Sequence, residues 1–178
     1  MDSFFIRSEI PSDIPAIDTV NREAFGQDGE ARLVRALRKG GDYIPGSSLV
    51  AVHEGKIIGH ILFAPISIES EDASVPAVAL APLSVLFEYQ CRGVGSGLVE
   101  EGLRICREQG HRIVIVVGHP TYYPRFGFTP APVRGIKAPF PCRNEVFMAY
   151  PLVDGALDGI HGTVRYPPEF EEEGAHAG

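Results

Sequence analysis

At 178 residues, with 44% hydrophobic and 22% charged side chains, the chain has the makings of an ordinary globular protein that buries about two thirds of its unfolded surface around one core. A formal charge of −7 argues against non-specific nucleic-acid binding, which needs a basic surface, and tilts the choice of partner toward cations. No apolar run approaches a membrane span, and Met1-Asp2-Ser3-Phe4-Phe5-Ile6-Arg7 lacks an apolar core of signal-peptide length, so a cytoplasmic location with no membrane partner is expected.

Phe4 to Glu9 alternates as a strand, and Pro11-Ser12-Asp13-Ile14-Pro15 has the form of a helix entrance, with a capping Ser or Asp and a Pro in the first turn. Ile14, Ile17, Val20 and Ala24 follow at helical spacing, and Leu33, Val34 and Leu37 mark a second amphipathic helix closed by Gly40-Gly41. Both helices read as packing elements or as walls of a substrate cleft. Ser48–His53 and Lys56–Ile68 are two strands about Glu54-Gly55, and the polar stretch Glu69–Ser74 leads into a third at Val75–Phe87, an antiparallel meander. A helix over 96–109 puts Val99, Leu103 and Cys106 on one stripe, and Gly110 stops it. Ile113-Val114-Ile115-Val116-Val117 is an unbroken β-branched run, which predicts a strand covered on both faces and parallel to a neighbour. Glu145–Val153 supplies a late strand. The fold class is therefore α/β (α+β) with a mixed sheet. Residues 1–168 are expected to form a single domain, and 169–178, with its three consecutive Glu, a frayed acidic tail.

Between the third strand and the next helix lies Gln90-Cys91-Arg92-Gly93-Val94-Gly95-Ser96. Two glycines let the backbone turn tightly and approach a ligand closely, and the helix start behind them presents its positive end, so the loop reads as an anion cradle. It is not a nucleotide triphosphate loop, because no Lys follows the second glycine. It also fails G-x-G-x-x-G, since the sixth position counted from Gly93 is Leu98 and from Gly95 is Glu100. Cys91, Cys106 and Cys142 are odd in number and share no C-x-x-C spacing, so neither a disulfide framework nor a metal site is indicated.

Gln90, Gly93 and Gly95 match the Q/R-x-x-G-x-G/A signature of the GNAT superfamily of N-acetyltransferases, and Tyr123-Pro124-Arg125-Phe126-Gly127-Phe128 resembles that family's Y-x-x-x-G-F. Gly118-His119-Pro120-Thr121-Tyr122 is similar to the bacterial YhbS-like group. The resemblance implies a mostly antiparallel twisted sheet flanked by helices, with the central parallel strands 75–87 and 112–117 splayed to admit acetyl-coenzyme A. It also implies that Gln90, Cys91, Arg92, Gly93, Val94, Gly95 and Ser96 grip the donor's pyrophosphate, and that Leu83, Ser84 and Val85 pair with its pantetheine arm. A bulge near Val85 is expected to free a backbone N–H for the thioester carbonyl, although no glycine marks it.

The implied reaction moves an acetyl group from acetyl-coenzyme A to a primary amine of a small-molecule or peptide acceptor by direct transfer in a ternary complex. Tyr123 takes the place of the family's proton donor to the leaving thiolate, with Tyr122 a competitor for that role. His119, at the end of the buried strand, reads as a proton relay or as a turn residue bonded to backbone. The general base has no owner: Glu69, Glu71, Asp72 and Glu88 are near the site by chain position, and each also reads as a solvated loop acid. The competing function is a non-catalytic acyl-coenzyme A binding or sensing domain, which keeps the loop and loses the proton donor. A homodimer is left open.

Overall fold

In the computed structural model, which describes residues 3–172, β1 (Phe5–Ser8) lies antiparallel to β2 (Leu49–His53), with helices α1 (Ile14–Phe25) and α2 (Gly29–Gly40) between them in the chain. The expected meander follows: β2 pairs antiparallel with β3 (Lys56–Glu69), and β3 with β4 (Ser74–Val85). Glu54 and Gly55 both have positive φ, +46° and +78°, the conformation that a two-residue hairpin turn needs to match strand twist. Asp13 does not cap α1. Its carboxylate accepts from both guanidinium nitrogens of Arg7, at 2.6 and 3.0 Å, and from the Ile10 N–H at 2.8 Å. The Arg7 hydrogen bonds hold that carboxyl below the usual carboxylate range despite its burial, and they tie β1 to the entrance of α1.

After β4 come α3 (Val94–Glu108) and β5 (Ile113–Val117), then the short strands β6 (Thr129–Pro130) and β7 (Ile136–Lys137), β8 (Phe147–Pro151), β9 (Gly162–Arg165) and helix α4 (Pro168–Glu172). Among the described residues the sheet order is β1-β2-β3-β4-β5-β8-β6, with β9 beside β3 and β7. The β4–β5 and β7–β9 pairs are parallel and the rest antiparallel, as the sequence predicts for a mixed, mostly antiparallel sheet. The unbroken β-branched run of β5 is explained by what covers it. Val114 and Val116 join a core with Ile17, Leu37, Leu98 and Leu103 from α1, α2 and α3, whereas Ile113 and Ile115 join a second core with Phe147, Leu157 and Val164. Both faces are buried, so no position on the strand favours a polar residue.

Two features of β4 open the molecule. It pairs with β5 only at Val78↔Val114 and Ala79↔Ile115, so the strands part beyond that point. On its other edge the register to β3 runs from Phe63↔Leu80 to Ile61↔Leu83, three steps on β4 against two on β3, which places a bulge at Ala81-Pro82. The expected bulge near Val85 is thus found earlier on the strand. Its marker is a proline, which has no N–H to give a ladder, and not a glycine.

The C-terminal expectation needs a correction. Glu169 does not begin a frayed tail: Pro168–Glu172 is helical, and Phe170 is buried against α2 and the core. An aromatic residue amid the acids supplies the burial that the charge run conceals. The remainder of the predicted tail, 173–178, lies outside the described residues.

Candidate active site

The parting of β4 from β5 makes a cleft of about 830 Å³, and a smaller recess of about 560 Å³ adjoins it at the start of α3. The recess is walled by the glycine-rich loop. Gln90 ties the loop to the end of β4, its side-chain amide donating to the Val85 carbonyl at 3.0 Å. Cys91 and Gly93 take positive φ, +59° and +85°, and this turns the chain sharply into α3. No side chain caps that helix, so its first-turn N–H groups, which have no intrahelical partner, are left for an anion at the positive end of the dipole. Gly95 is required for a different reason: a Cβ there would lie 2.7 Å from the Tyr122 hydroxyl.

Leu83, Val85, Gln90, Cys91, Gly93, Gly95 and Ser96 all border the recess. The side chains of the other three residues expected there do not. Ser84 alternates to the far side of β4 and is buried, its hydroxyl without a hydrogen-bond partner; Val94 points into the core; the Arg92 guanidinium sits 5.9 Å from the Tyr89 ring. The basic side chain that borders the recess is Arg125, which sequence reasoning passed over although it lies inside the second motif. Arg125 donates to the Ser96 hydroxyl at 3.1 Å and lies 4.5 Å over the Tyr122 ring.

Tyr122 borders both recess and cleft, whereas Tyr123 faces the cleft alone. The short 3-10 turn Tyr123–Phe126 swings the Tyr123 ring back onto the end of β5, edge-on to Tyr122 at 5.1 Å and to Phe128 at 5.6 Å. The fit against β5 depends on Gly118, where a Cβ would come 2.4 Å from the Tyr123 ring. Burial, with Tyr122 alongside, raises the Tyr123 phenol above the ordinary tyrosine range, which keeps it protonated at neutral pH. Among the described residues nothing hydrogen-bonds its hydroxyl. His119 is exposed at the cleft rim, and its Nδ1 accepts from the Thr121 N–H at 3.4 Å and meets the Thr121 hydroxyl at 2.9 Å, the bonding of a turn residue.

The acids nearest in the chain are not near in space. Glu69, Glu71 and Asp72 lie at the opposite end of β4, a strand of 12 residues that spans ~40 Å when extended. Glu69 is held there by Ser67 and Ser74, at 2.8 and 2.9 Å. Glu88 is exposed and pairs with Lys56 at 3.8 Å. Among the described residues the carboxylate that borders the cleft is Glu30, from the first turn of α2.

Residues 6–131 match the family described as the acetyltransferase (GNAT) domain. The chain is 39% identical over 166 residues to the uncharacterized N-acetyltransferase YhbS of Escherichia coli strain K12, covering 93% of this chain and 97% of that protein. It is also 44% identical over 135 residues to the uncharacterized N-acetyltransferase YjhQ of the same strain, covering 75% of each. Among solved structures, Escherichia coli YhbS in complex with CoA superposes with a TM-score of 0.89 at 36% identity, covering 96% of this chain and 93% of that one. A GNAT family acetyltransferase from Brucella melitensis in complex with acetyl-CoA does so with a TM-score of 0.77 at 31% identity, covering 96% and 99%.

Proposed function

We propose, for a chain that belongs to the GNAT family of acetyltransferases and takes its acyl group from acetyl-coenzyme A, that it passes the acetyl group directly to a primary amine while donor and acceptor are bound together. The observation that carries this reading is continuity: Leu83 and Tyr122 border both the anion recess and the cleft. A donor anchored by its pyrophosphate at the recess can therefore lie between the parted strands and reach Tyr123. The recess suits that group, with uncapped N–H donors and the Arg125 guanidinium beside it. The reactive unit runs from β1 through α4, and its setting is the cytoplasm.

The donor, when bound, supplies an activated thioester. The chain's own groups do the rest. Backbone N–H groups of β4 that have no β5 partner beyond Ala79 are placed to polarise a carbonyl in the cleft. Tyr123 delivers the proton that a departing thiolate needs. A phenol is a weaker acid than a thiol, pKa ~10 against ~8.5, so the transfer taken alone is uphill by ~2 kcal/mol. Burial destabilises thiolate and phenolate alike and leaves that gap about unchanged, small enough for the phenol to donate as the C–S bond breaks and to be reprotonated from the acylated nitrogen.

The test is an amine panel incubated with purified protein and acetyl-coenzyme A, read by free-thiol release and by the mass of the acetylated product. Direct transfer gives intersecting double-reciprocal lines; parallel lines would refute it. Tight acetyl-coenzyme A binding with no transfer to any amine would move the chain to the acyl-coenzyme A sensing class.

A further inference from the structure

The geometry points to Glu30 as the group that receives the acceptor, and to an acceptor that is a protonated primary amine on an apolar or aromatic body; this rests on the acetyl-transfer reading above. Glu30 stands at i of an i, i+3, i+4, i+7 stripe completed by Leu33, Val34 and Leu37, all buried, where an apolar residue belongs. Glu30 is only 5% exposed, and it borders the cleft together with Leu33. Its hydrogen bonds come from one amide, Gln27 Nε2, at 3.0 and 3.2 Å to its two oxygens. A carboxylate has room for about four donors, so acceptor capacity remains on the cleft side.

Among the acids from Glu9 to Glu30 that are not exposed, Glu30 is the exception. Glu9 pairs with Arg38, Asp13 with Arg7 at 2.6 Å, Asp18 with Arg35 at 2.6 Å and Asp28 with Arg22 at 3.2 Å. Among the described residues no Lys or Arg pairs with Glu30. A buried carboxylate without a cation is costly unless its partner arrives from outside, and the cleft is the open route. The walls around it, Phe25, Phe140, Tyr166 and Phe170, are aromatic. Such a surface buries an apolar body and favours a cation over its ring faces.

An ammonium cannot attack a thioester until a proton leaves it. That first proton passes to Glu30. The freed nitrogen lone pair then forms the C–N bond as the C–S bond breaks, and its electron pair stays on sulfur. Sulfur takes the Tyr123 hydroxyl proton, the phenolate recovers one from the nitrogen, and Glu30 returns its proton to water.

The experiment has a binding arm and a turnover arm, both with protein saturated by coenzyme donor. In the first, 2-phenylethylammonium and its neutral isostere 2-phenylethanol are titrated calorimetrically into CoA-loaded wild type and Glu30→Gln. Wild type prefers the cation by about tenfold or more, and Glu30→Gln removes the preference while CoA affinity is unchanged. No preference in wild type, a preference that survives in Glu30→Gln, or no binding of either compound overturns the inference. In the second arm, Glu30→Gln acetylates 2-phenylethylamine ~10²-fold more slowly than wild type near neutral pH. The deficit shrinks as pH rises toward the amine's own pKa of about 10, where solvent supplies the neutral amine; a deficit that does not change with pH refutes proton acceptance by Glu30. Glu30→Asp, which keeps the charge but retracts it, gives a smaller deficit and stands in should Glu30→Gln fold poorly. If CoA itself fails to bind wild type, the acetyl-transfer reading falls and this one with it; CoA binding without cation preference sinks this one alone.

Discussion

Replacing Tyr123 with Phe deletes one oxygen and leaves the ring in its edge-on contacts with Tyr122 and Phe128, at 5.1 and 5.6 Å. Because no described group hydrogen-bonds that oxygen, its loss strands no buried partner, and the unfolding free energy should change by no more than about 0.5 kcal/mol in either direction. Acetyl-coenzyme A affinity should likewise hold, since the anion recess is bordered by Tyr122 and not by Tyr123. Turnover is different. General acid help is worth ~10² to ~10⁴-fold, or about 3–5 kcal/mol of barrier, and the fall should come in kcat and in kcat/KM equally, the pattern of an interaction made only in the transition state. The assay is continuous thiol release at saturating amine, beside thermal melts and CoA titrations of the same preparations. A donor whose thiol is already acidic should suffer less. Turnover within threefold of wild type refutes the role of Tyr123, and so does a larger kcat loss in Tyr122→Phe or His119→Ala.

Alanine at Gly118 would put a Cβ 2.4 Å from the Tyr123 ring, about 1 Å inside ordinary contact, so the ring must shift by that much; a misplacement of this size can cost ~10²-fold in kcat, and unchanged kcat would show that the ring position is not critical. Coenzyme A and acetyl-coenzyme A should raise the melting temperature, by the equivalent of ~2.7 kcal/mol at a hundredfold excess over Kd, while ATP and NAD should not. Gly95→Val, which displaces the Tyr122 hydroxyl, should abolish most of that shift with the apo melt kept, and equal stabilisation by all four ligands would contradict the site. On the acid side, His60 is fully buried between Ser48 and Asn21 with its pKa driven down to about 3 by burial, and secondarily by Arg38. The folded state thus binds fewer protons than the unfolded one below pH ~6.5, and stability should fall by up to ~1.4 kcal/mol per pH unit lost beneath that point; a denaturation series that stays flat from about pH 6.5 to pH 4 would refute it. On the alkaline side Tyr123 and Tyr166 are both raised by burial, the sign reverses, and stability should fall above pH ~10.

The parts of the fold that were readable in the sequence are those whose cause is local. The Glu54-Gly55 turn demands positive φ at both residues, and the β5 run has no polar position to spare. Elements set by distant partners were not readable. β6 and β7 have two residues each, too few for any alternation, and exist because Ala149 and Gly162 lie opposite them. α3 starts at Val94, two residues before the position expected from side-chain pattern, because Gly93 turns the chain in the left-handed region and Val94 itself packs into the core. Pro82 lies inside the run Val75–Phe87 that has the pattern of one continuous strand, yet a residue that cannot donate to a ladder is the natural place for the strand to bulge.

The site divides in the same way. The half we propose for the donor is contiguous, Gln90 to Ser96 on one turn and a helix end, so one window of sequence exposes it as an anion cradle. The half we propose for the acceptor is lined from α1, α2, the segment 140–146 and α4, and no window of sequence contains it. Proximity in the chain even misled: Glu69, Glu71 and Asp72 precede the loop by one strand, but an extended strand carries them ~40 Å away. Glu30 did leave a trace. In α2 the charged residues Arg32, Arg35 and Lys39 are exposed and the half-buried Arg38 is paired with Glu9, whereas Glu30 shares the buried face of Leu33, Val34 and Leu37 without a cation. A carboxylate in the apolar stripe of an amphipathic helix contradicts the pattern around it. Such a residue either ruins the packing or faces something that needs a charge, and in this fold the stripe ends at the cleft.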